Sequence, residues 1–294
     1  MKRKKNSYKY SYRWGWITVF ALIVILLCTL IYKFVFDDDS PETVSSNINA
    51  PVESMAPPPE MVNANGVMVL NYHKIENRLL SLAVRVNDFD KHMMWLKEAG
   101  YTSITPEQLY DFVSKGTPLP PKPVLITFDD GYVDNYTNAY PILKRYGFVA
   151  TVFVVTGFLD KYPEYLTWAQ AKEMIDNGFS IESHTVNHKP MTELSDEQLR
   201  NELIESRKQI SDKLGKESFF VAYPTGTYNL HIAQMVKEAG YKAAFTIKYD
   251  NVGMNSNVYA LERVPIFQTE TTNHDFLERI NYIPIFEKFG WVKN

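Results

Sequence analysis

The chain has 294 residues, 45% of them hydrophobic and 22% charged, with a formal net charge of −3. This length and composition support one or two globular domains with a sizeable core. The single cysteine, Cys28, excludes an internal disulfide framework and a zinc site built from cysteines. Seven of the 31 basic residues but none of the 34 acidic ones precede residue 37, so the rest of the chain is acidic, which argues against a nucleic-acid partner.

The N-terminal segment predicts a single-pass membrane anchor. Residues 1–16 form a basic tail, and residues 17–36 are nearly all apolar and long enough for a helix to cross a bilayer core. Three acids, Asp37 to Asp39, follow the apolar run, so the positive-inside rule places the tail in the cytoplasm and the rest of the chain outside the cell. A cleaved signal peptide is the alternative, but no small-residue cleavage site follows the run.

The chain after the anchor divides into a linker and one predicted α/β domain. Residues 37–65 are rich in proline, serine and asparagine, which predicts a disordered extracellular tether. Across residues 66–294, helical patterns that end in glycine and an aromatic residue alternate with β-rich runs, as after LKEAGY, LKRYGF, MIDNGF and VKEAGY. This alternation predicts a largely parallel sheet that closes into a barrel of seven or eight units.

Polar residues mark the predicted helix starts. Thr167 and Ser195 are each followed three residues later by glutamine, which fits a capping box. Asn87 and Thr105 are further N-cap candidates.

Chemically active side chains follow several predicted strands. Asp129 and Asp130 end the run VLITFDD, His73 ends VLNYH, and His184 and His188 follow FSIES. Because parallel strands place their C-terminal ends at one face of the sheet, we expect these side chains to meet there. The four-residue spacing of the histidines predicts that both lie on one face of a helical turn and bind one metal ion. One of the two adjacent acids would complete that site and the other would accept a proton.

The motif TFDDG, followed some fifty residues later by SHTVNH, resembles the polysaccharide deacetylases, the carbohydrate esterase family with the NodB-homology domain. The resemblance covers about residues 66 to 282 and implies a distorted (β/α) barrel. It implies Asp129 as the general base. It also implies Asp130, His184 and His188 as ligands of one divalent metal ion, most often zinc, with cobalt, nickel or manganese as alternatives.

Two departures from the common family pattern indicate a resemblance to one branch of the family. The segment AYPTG has Ala222 in place of the arginine that fixes the base, and a late Leu-x-His motif is not evident. These departures and the YH and YPTG segments resemble the bacterial poly-N-acetylglucosamine deacetylases. That branch implies His73 as the general acid, with His274 as the alternative. Arg263 is a candidate for orienting Asp129, although a strand arginine is equally suited to a structural salt bridge.

The predicted function is metal-dependent hydrolysis of N-acetyl groups from N-acetylglucosamine residues of a polysaccharide outside a bacterial membrane, with release of acetate. Poly-N-acetylglucosamine, peptidoglycan and chitin-like polymers are all candidate substrates, and no protein partner is predicted. A backbone N–H near Thr225 is expected to bind the oxyanion, while Tyr223 and Tyr132 are expected to contact the sugar. An O-acetyl esterase and a non-catalytic glycan-binding protein are the alternative functions.

Overall fold

The computed structural model describes residues 66–288, except residues 79, 81 and 270. The predicted basic tail (1–16), anchor (17–36) and linker (37–65) lie outside the described residues and stay predictions. Within the described part, none of the helices has both the length and the apolar character that crossing a bilayer would require.

The described residues contain a large parallel sheet, as the sequence predicts. Its strands and those of a small separate pair are β1 (Met68–Tyr72), β2 (Lys74–Ile75), β3 (Ala83–Val84), β4 (Thr102–Ser103), β5 (Pro123–Phe128), β6 (Thr151–Val154), β7 (Ser180–Ser183), β8 (Phe220–Ala222), β9 (Ala243–Phe245) and β10 (Val264–Pro265). Eight strands form the large sheet, in the order β10-β1-β5-β6-β7-β8-β9 with β4 beside β5, and β2 pairs with β3. Every strand-to-strand ladder is parallel.

The two ends of the large sheet meet through a few backbone contacts. Phe245, the last residue of β9, forms an isolated parallel bridge with Leu261, which lies three residues before β10. The N–H of Leu261 donates to the carbonyl of Ala244, and the N–H of Thr246 donates to the carbonyl of Leu261, at a distance of 2.9 Å in each case. These backbone hydrogen bonds link β9 to the segment that enters β10, while β9 and β10 themselves form no ladder. The resulting ring of strands is less regular than the closed barrel of seven or eight units that the repeating pattern predicts.

Helices connect the strands and cover the outside of the sheet. They are α1 (Val86–Glu98), α2 (Pro106–Lys115), α3 (Tyr140–Tyr146), α4 (Trp168–Asp176), α5 (Asp196–Leu214), α6 (Leu230–Glu238) and α7 (Thr272–Lys288). A π-helical turn, Asn135–Ala139, leads directly into α3. Thr105, Thr167 and Ser195 form the capping boxes of α2, α4 and α5. The prediction for Asn87 is wrong, because α1 begins at Val86, whose N–H donates to the Asn77 side chain.

Alternate residues of each strand serve two different cores, because successive side chains of a strand point to opposite faces. Leu70, Tyr72 and Phe128 belong to the core beneath α1 and α3. Leu125 and Phe153 belong instead to the core enclosed by the sheet. Thr127 and Asp129 follow Leu125 at two-residue steps, so the period of the strand directs Asp129 toward the enclosed side of the sheet.

Candidate active site

The two adjacent aspartates occupy the turn that ends β5. The N–H of Asp129 donates to the carbonyl of Tyr72 at 2.9 Å, so Asp129 still continues the strand pairing. Asp130 and Gly131 then have φ values of 73° and 78°, and the backbone turns sharply. A β-carbon at Gly131 would come within 2.9 Å of Cγ1 of Val154, which explains why glycine stands there. The turn sends the two carboxylates to different neighbours.

A buried arginine holds the Asp129 carboxylate. Nη1 of Arg263 donates to Oδ1 of Asp129, and Nη2 donates to Oδ2, at a distance of 2.7 Å in each case. Nε of the same guanidinium donates to the carbonyl of Thr246 at 2.7 Å. Arg263 is 0% exposed and Asp129 is 2% exposed. This bidentate pair fixes the plane of the carboxylate, which is the geometry that the orienting role of Arg263 requires.

The charge state of Asp129 follows from two opposing effects. Burial alone would raise its pKa, since a charge is disfavoured away from water. The charge of Arg263 and the hydrogen bonds that it donates outweigh burial and hold the pKa of Asp129 well below its ordinary value. The carboxylate is therefore ionised at neutral pH and able to accept a proton.

His73 lies beside Asp129, at the end of β1. Its Nε2 is 4.0 Å from Oδ2 of Asp129, and its side chain is 16% exposed. The carbonyl of His73 accepts a 2.7 Å hydrogen bond from Nδ2 of Asn135, in the π-helical turn. In the same turn region, Asp134 accepts from the N–H of Ile75 at 2.9 Å. Sequence reasoning missed Asn135, whose only signal was its position in the first polar segment after the DDG turn.

The alternative acid, His274, has a different setting. It lies near the start of α7 with 70% of its side chain exposed, and its ion-pair partners are Asp275 and Glu278. His73 is thus the histidine that the fold places against the buried aspartate.

Three predicted metal ligands converge on one point. Oδ1 of Asp130 lies 3.2 Å from Nε2 of His188 and 3.6 Å from Nε2 of His184. One donor atom from each of the three side chains falls within 4.8 Å of the other two. Asp130 and His184 are buried, whereas His188 is partly exposed, so this cluster is open to solvent on one side.

The prediction that the two histidines share a helical turn is wrong. Residues 184–188 form a loop after β7, with left-handed φ values of 66° at Thr185 and 56° at His188. The N–H of His188 donates to Oγ1 of Thr185 at 3.2 Å, which closes the loop upon itself. The imidazoles still approach each other, with ring centroids 4.8 Å apart.

The donor atoms of this cluster fit a cation. Nδ1 of His184 lies 2.8 Å from the carbonyl oxygen of Ala222, and because a carbonyl can only accept, Nδ1 carries the proton. The lone pair of His184 is therefore on Nε2, which faces Asp130. Burial lowers the pKa of His184, which favours this neutral form. Two imidazole nitrogens and one carboxylate oxygen match the donor set of zinc and related divalent ions.

Tyr132 stands between the cluster and a group of aromatic side chains. Burial first, then the charge of Asp130 and a hydrogen bond to it, raise the pKa of Tyr132 far above its ordinary value. Its ring stacks on Tyr165 with centroids 5.0 Å apart, and Nζ of Lys74 lies 4.3 Å from the ring centroid. Tyr132 thus lies close enough to Asp130, the acid of the predicted metal site, for the charge of that acid to raise the pKa of its hydroxyl.

The two other predicted substrate contacts differ from each other. Tyr223 is fully buried and its hydroxyl donates to the carbonyl of Tyr259 at 2.9 Å, so its ring offers no surface to a sugar. Thr225 is exposed and has a left-handed φ of 59° at the tip of the YPTG loop. The structure therefore leaves Thr225 accessible. It corrects the expectation for the Tyr223 side chain, whose ring packs in the core while its hydroxyl donates to the carbonyl of Tyr259.

Comparison with known proteins agrees with this site. A family model described as polysaccharide deacetylase matches residues 116–244, which include both the DDG and SHTVNH segments. YxkH of Bacillus subtilis (strain 168), assigned by name to the polysaccharide deacetylases, is 36% identical over 198 residues, covering 67% of this chain and 70% of YxkH. The poly-beta-1,6-N-acetyl-D-glucosamine N-deacetylase of Staphylococcus aureus (strain MSSA476) is 27% identical, covering 87% of this chain and 93% of its own.

A solved structure supports the same assignment. The deacetylase PplD of Streptococcus pyogenes, determined in complex with acetate, superposes with a TM-score of 0.69 at 30% identity, covering 73% of this chain and 98% of PplD. The parallel α/β fold, the paired motifs and the sequence identity all indicate the same relationship. This chain belongs to the polysaccharide deacetylase family.

Proposed function

We propose that this protein is a metal-dependent N-deacetylase that releases acetate from N-acetylglucosamine residues of a polysaccharide, with poly-β-1,6-N-acetylglucosamine as the preferred substrate. One observation carries the proposal: Asp130, His184 and His188 converge beside an ionised Asp129 that Arg263 holds in a fixed plane. The substrate preference is supported by the similarity to the Staphylococcus aureus N-deacetylase, which extends over 93% of that relative.

Asp129 is proposed as the general base. A divalent cation held by Asp130, His184 and His188 would supply Lewis-acid polarisation of the acetamide carbonyl and of the attacking water. Asp129 neighbours this cluster in the chain and is ionised, so it is placed to take the proton of that water as attack begins. Arg263 keeps the carboxylate oriented, which removes the cost of ordering the base during the reaction.

His73 is proposed as the general acid. Breaking an amide C–N bond requires a proton on the departing nitrogen, because an amine is a poor leaving group as an anion. Nε2 of His73 lies 4.0 Å from Oδ2 of Asp129, so the proposed acid is next to the proposed base. The hydrogen bond from Asn135 to the His73 carbonyl fixes the backbone from which the imidazole projects.

Tyr132 and the Thr225 loop are proposed to contact the sugar and the reacting carbonyl. Thr225 is exposed, and the left-handed conformation at this position turns the YPTG backbone sharply, so a backbone N–H there is a candidate oxyanion donor. We further propose that residues 17–36 anchor the protein in a bacterial cell membrane with residues 66–294 outside, within reach of exported and wall polysaccharides.

The proposal is tested by measuring acetate release by the purified full-length chain. Substrates are poly-β-1,6-N-acetylglucosamine, chitooligosaccharides, peptidoglycan and an O-acetylated glycan, each assayed before chelation, after chelation and after restoring zinc, cobalt, nickel or manganese. We expect N-deacetylation of the first polymer, loss of activity with chelator and recovery with metal. The Asp130→Ala variant serves as the inactive control.

Each other outcome selects a different function. Acetate from the O-acetylated glycan alone would identify an esterase. Binding of glycan without acetate release from any metal-loaded sample would identify a non-catalytic binding protein. Activity that survives exhaustive chelation would remove the metal from the proposal.

A further inference from the structure

The loop of residues 184–188, which carries both imidazoles of the cluster, has a conformation that requires outside support. Two of its non-glycine residues, Thr185 and His188, have left-handed backbone angles. Left-handed angles at non-glycine residues are strained and persist only where the surroundings enforce them. The loop is too short to form regular secondary structure, so its backbone N–H and C=O groups must find partners elsewhere.

Glu202 of α5 supplies the N–H side of that support. Its Oε2 accepts hydrogen bonds from the N–H groups of Val186 and Asn187, at 2.8 Å and 2.9 Å. Its Oε1 accepts from Nδ2 of Asn187 at 2.6 Å. Two successive backbone N–H groups that point at one anionic oxygen make a concave anion-binding arrangement, and here the anion is built into the protein.

The setting of Glu202 makes these hydrogen bonds strong. The residue is only 6% exposed, on the face of α5 that also buries Leu199, Leu203 and Ser206. Hydrogen bonds to an ionised acceptor are roughly twice as strong as neutral ones. A carboxylate on the apolar face of a helix also needs such donors, because burying it without partners is costly.

The carbonyl side of the loop is held by a different segment. The N–H of Thr156 donates to the carbonyl of Thr185, and the N–H of Gly157 donates to the carbonyl of Val186, at a distance of 3.0 Å in each case. The segment after β6 thus holds one edge of the loop and Glu202 holds the other. The side chains of Ser183 and Thr185 also accept hydrogen bonds from loop N–H groups, but these two residues lie next to or within the loop. Glu202 supports the loop through a side chain from a separate helix, so it can be changed without altering the loop's own sequence.

We propose that Glu202 is a positioning residue for the metal site: by binding the N–H groups between the two histidines, it sets the separation and direction of the His184 and His188 imidazoles. The inference rests on the proposed function, since it assigns the histidines as metal ligands. Glu202 itself touches neither metal nor substrate. It acts through the loop, as outer partners of metal-binding side chains do in other metalloproteins.

The test compares three variants of the full-length chain. Glu202→Gln keeps the side-chain length but removes the charge, and Glu202→Leu removes both acceptors. Glu197→Gln is the matched control, because it changes an exposed glutamate at the start of the same helix. For each protein we would measure the zinc dissociation constant by competition with a chromophoric chelator. The visible absorption spectrum of the cobalt form and the melting temperature of the metal-free form complete the comparison.

We expect Glu202→Leu to weaken zinc binding by about ten- to one-hundredfold and to change the cobalt spectrum, as loss of outer-shell partners commonly does. Glu202→Gln should lie between Glu202→Leu and the wild type, and Glu197→Gln should match the wild type. The cobalt spectrum separates positioning from simple stability, since a general loss of stability lowers the melting temperature without altering the metal geometry of folded molecules.

Two results would overturn the inference. If Glu202→Leu folds and binds zinc as the wild type does with the same cobalt spectrum, Glu202 does not position the ligands. If Glu202→Leu fails to fold, a Glu202→Gln variant identical to Glu197→Gln in affinity and spectrum excludes the positioning role equally. A wild-type chain that binds no metal would instead overturn the proposed function, and the inference with it.

Discussion

Arg263 and Asp129 are 134 residues apart in sequence, and the fold joins them by two parallel hydrogen bonds of 2.7 Å. Neither side chain is accessible to water to any useful extent. Removing the two charges from water costs stability, whereas holding the carboxylate in a single orientation suits its proposed role as the base.

Removing the arginine tests this pair. Arg263→Met leaves Asp129 as a buried carboxylate without its partner, and we expect a loss of about 3–5 kcal/mol in the free energy of unfolding. The double variant Arg263→Met with Asp129→Asn should recover part of that stability while remaining inactive, because the uncompensated charge is gone but so is the base. Denaturant unfolding and acetate release measure the two effects. Equal stability of the single and double variants would contradict the account.

His73 should control the rate rather than substrate binding. We expect His73→Ala to lower kcat for N-acetyl substrates by about 10²–10⁴-fold, the range typical of a lost general acid. The loss should be smaller for an O-acetyl substrate, whose alkoxide leaves more readily than an amine anion. His274→Ala is the control, since that side chain is 70% exposed and lies against Asp275. An unchanged rate in His73→Ala, with a reduced rate in His274→Ala, would reverse the two roles.

His188 should be required for metal binding, whereas the surface histidine His231 should not. His188→Ala removes the nitrogen that lies 3.2 Å from Asp130, so we expect weaker zinc binding and activity near background. His231→Ala changes a surface histidine whose partner is Asp196, and it should retain wild-type zinc affinity and activity. Isothermal titration of the metal-free proteins with zinc gives the comparison. Wild-type affinity in His188→Ala would exclude His188 as a ligand.

Gly157 should be intolerant of a side chain although its backbone is not left-handed. A β-carbon there would approach the carbonyl oxygen of Val186 to 2.6 Å, in the loop between the two imidazoles. We expect Gly157→Ala to cost about 1–3 kcal/mol of stability through this overlap and to weaken zinc binding. Gly253→Ala is the matched control, because a β-carbon at Gly253 meets no atom within 4 Å. Similar melting temperatures and zinc affinities for the two variants would contradict this explanation.

A buried histidine that is not part of the metal cluster should make stability depend on pH. Burial, with a smaller contribution from Lys91, lowers the pKa of His92 from 6.5 to about 3. The folded state therefore keeps His92 neutral while the unfolded state binds a proton below pH 6.5, so this contribution to stability is complete above pH 6.5 and is lost progressively as the pH falls toward 3. The ring of His92 stacks on that of Phe276 with centroids 3.9 Å apart, and its Nδ1 lies 3.1 Å from the Tyr72 hydroxyl. These two contacts hold the imidazole in place.

Replacing His92 checks that dependence. His92→Asn keeps a polar atom near the Tyr72 hydroxyl but does not titrate in this range, so its unfolding free energy should change less between pH 7 and pH 4 than that of the wild type. Urea denaturation at both pH values measures the difference. A parallel pH dependence in the two proteins would show that other groups are responsible.

Local signals in the sequence predicted local structure well. The capping boxes at Thr105, Thr167 and Ser195 depend on residues three positions apart, and the helix ends at Gly100 and Gly147 depend on one backbone angle. Such features are set by near neighbours and survive in most folds. The four-residue spacing of His184 and His188 did not determine the local backbone structure, because a helix and a tight loop can each bring two imidazoles together.

The sequence by itself determined the order of strands and helices, the family, and the strand ends that carry acids and imidazoles. Only the tertiary structure decided that Arg263 meets Asp129, that Glu202 holds the loop between the histidines, and that the ring of Tyr223 is buried. The physical reason is distance along the chain. Hydrophobic period and capping act over a few residues, whereas these three contacts depend on the register of parallel strands and on how the sheet brings its two ends together.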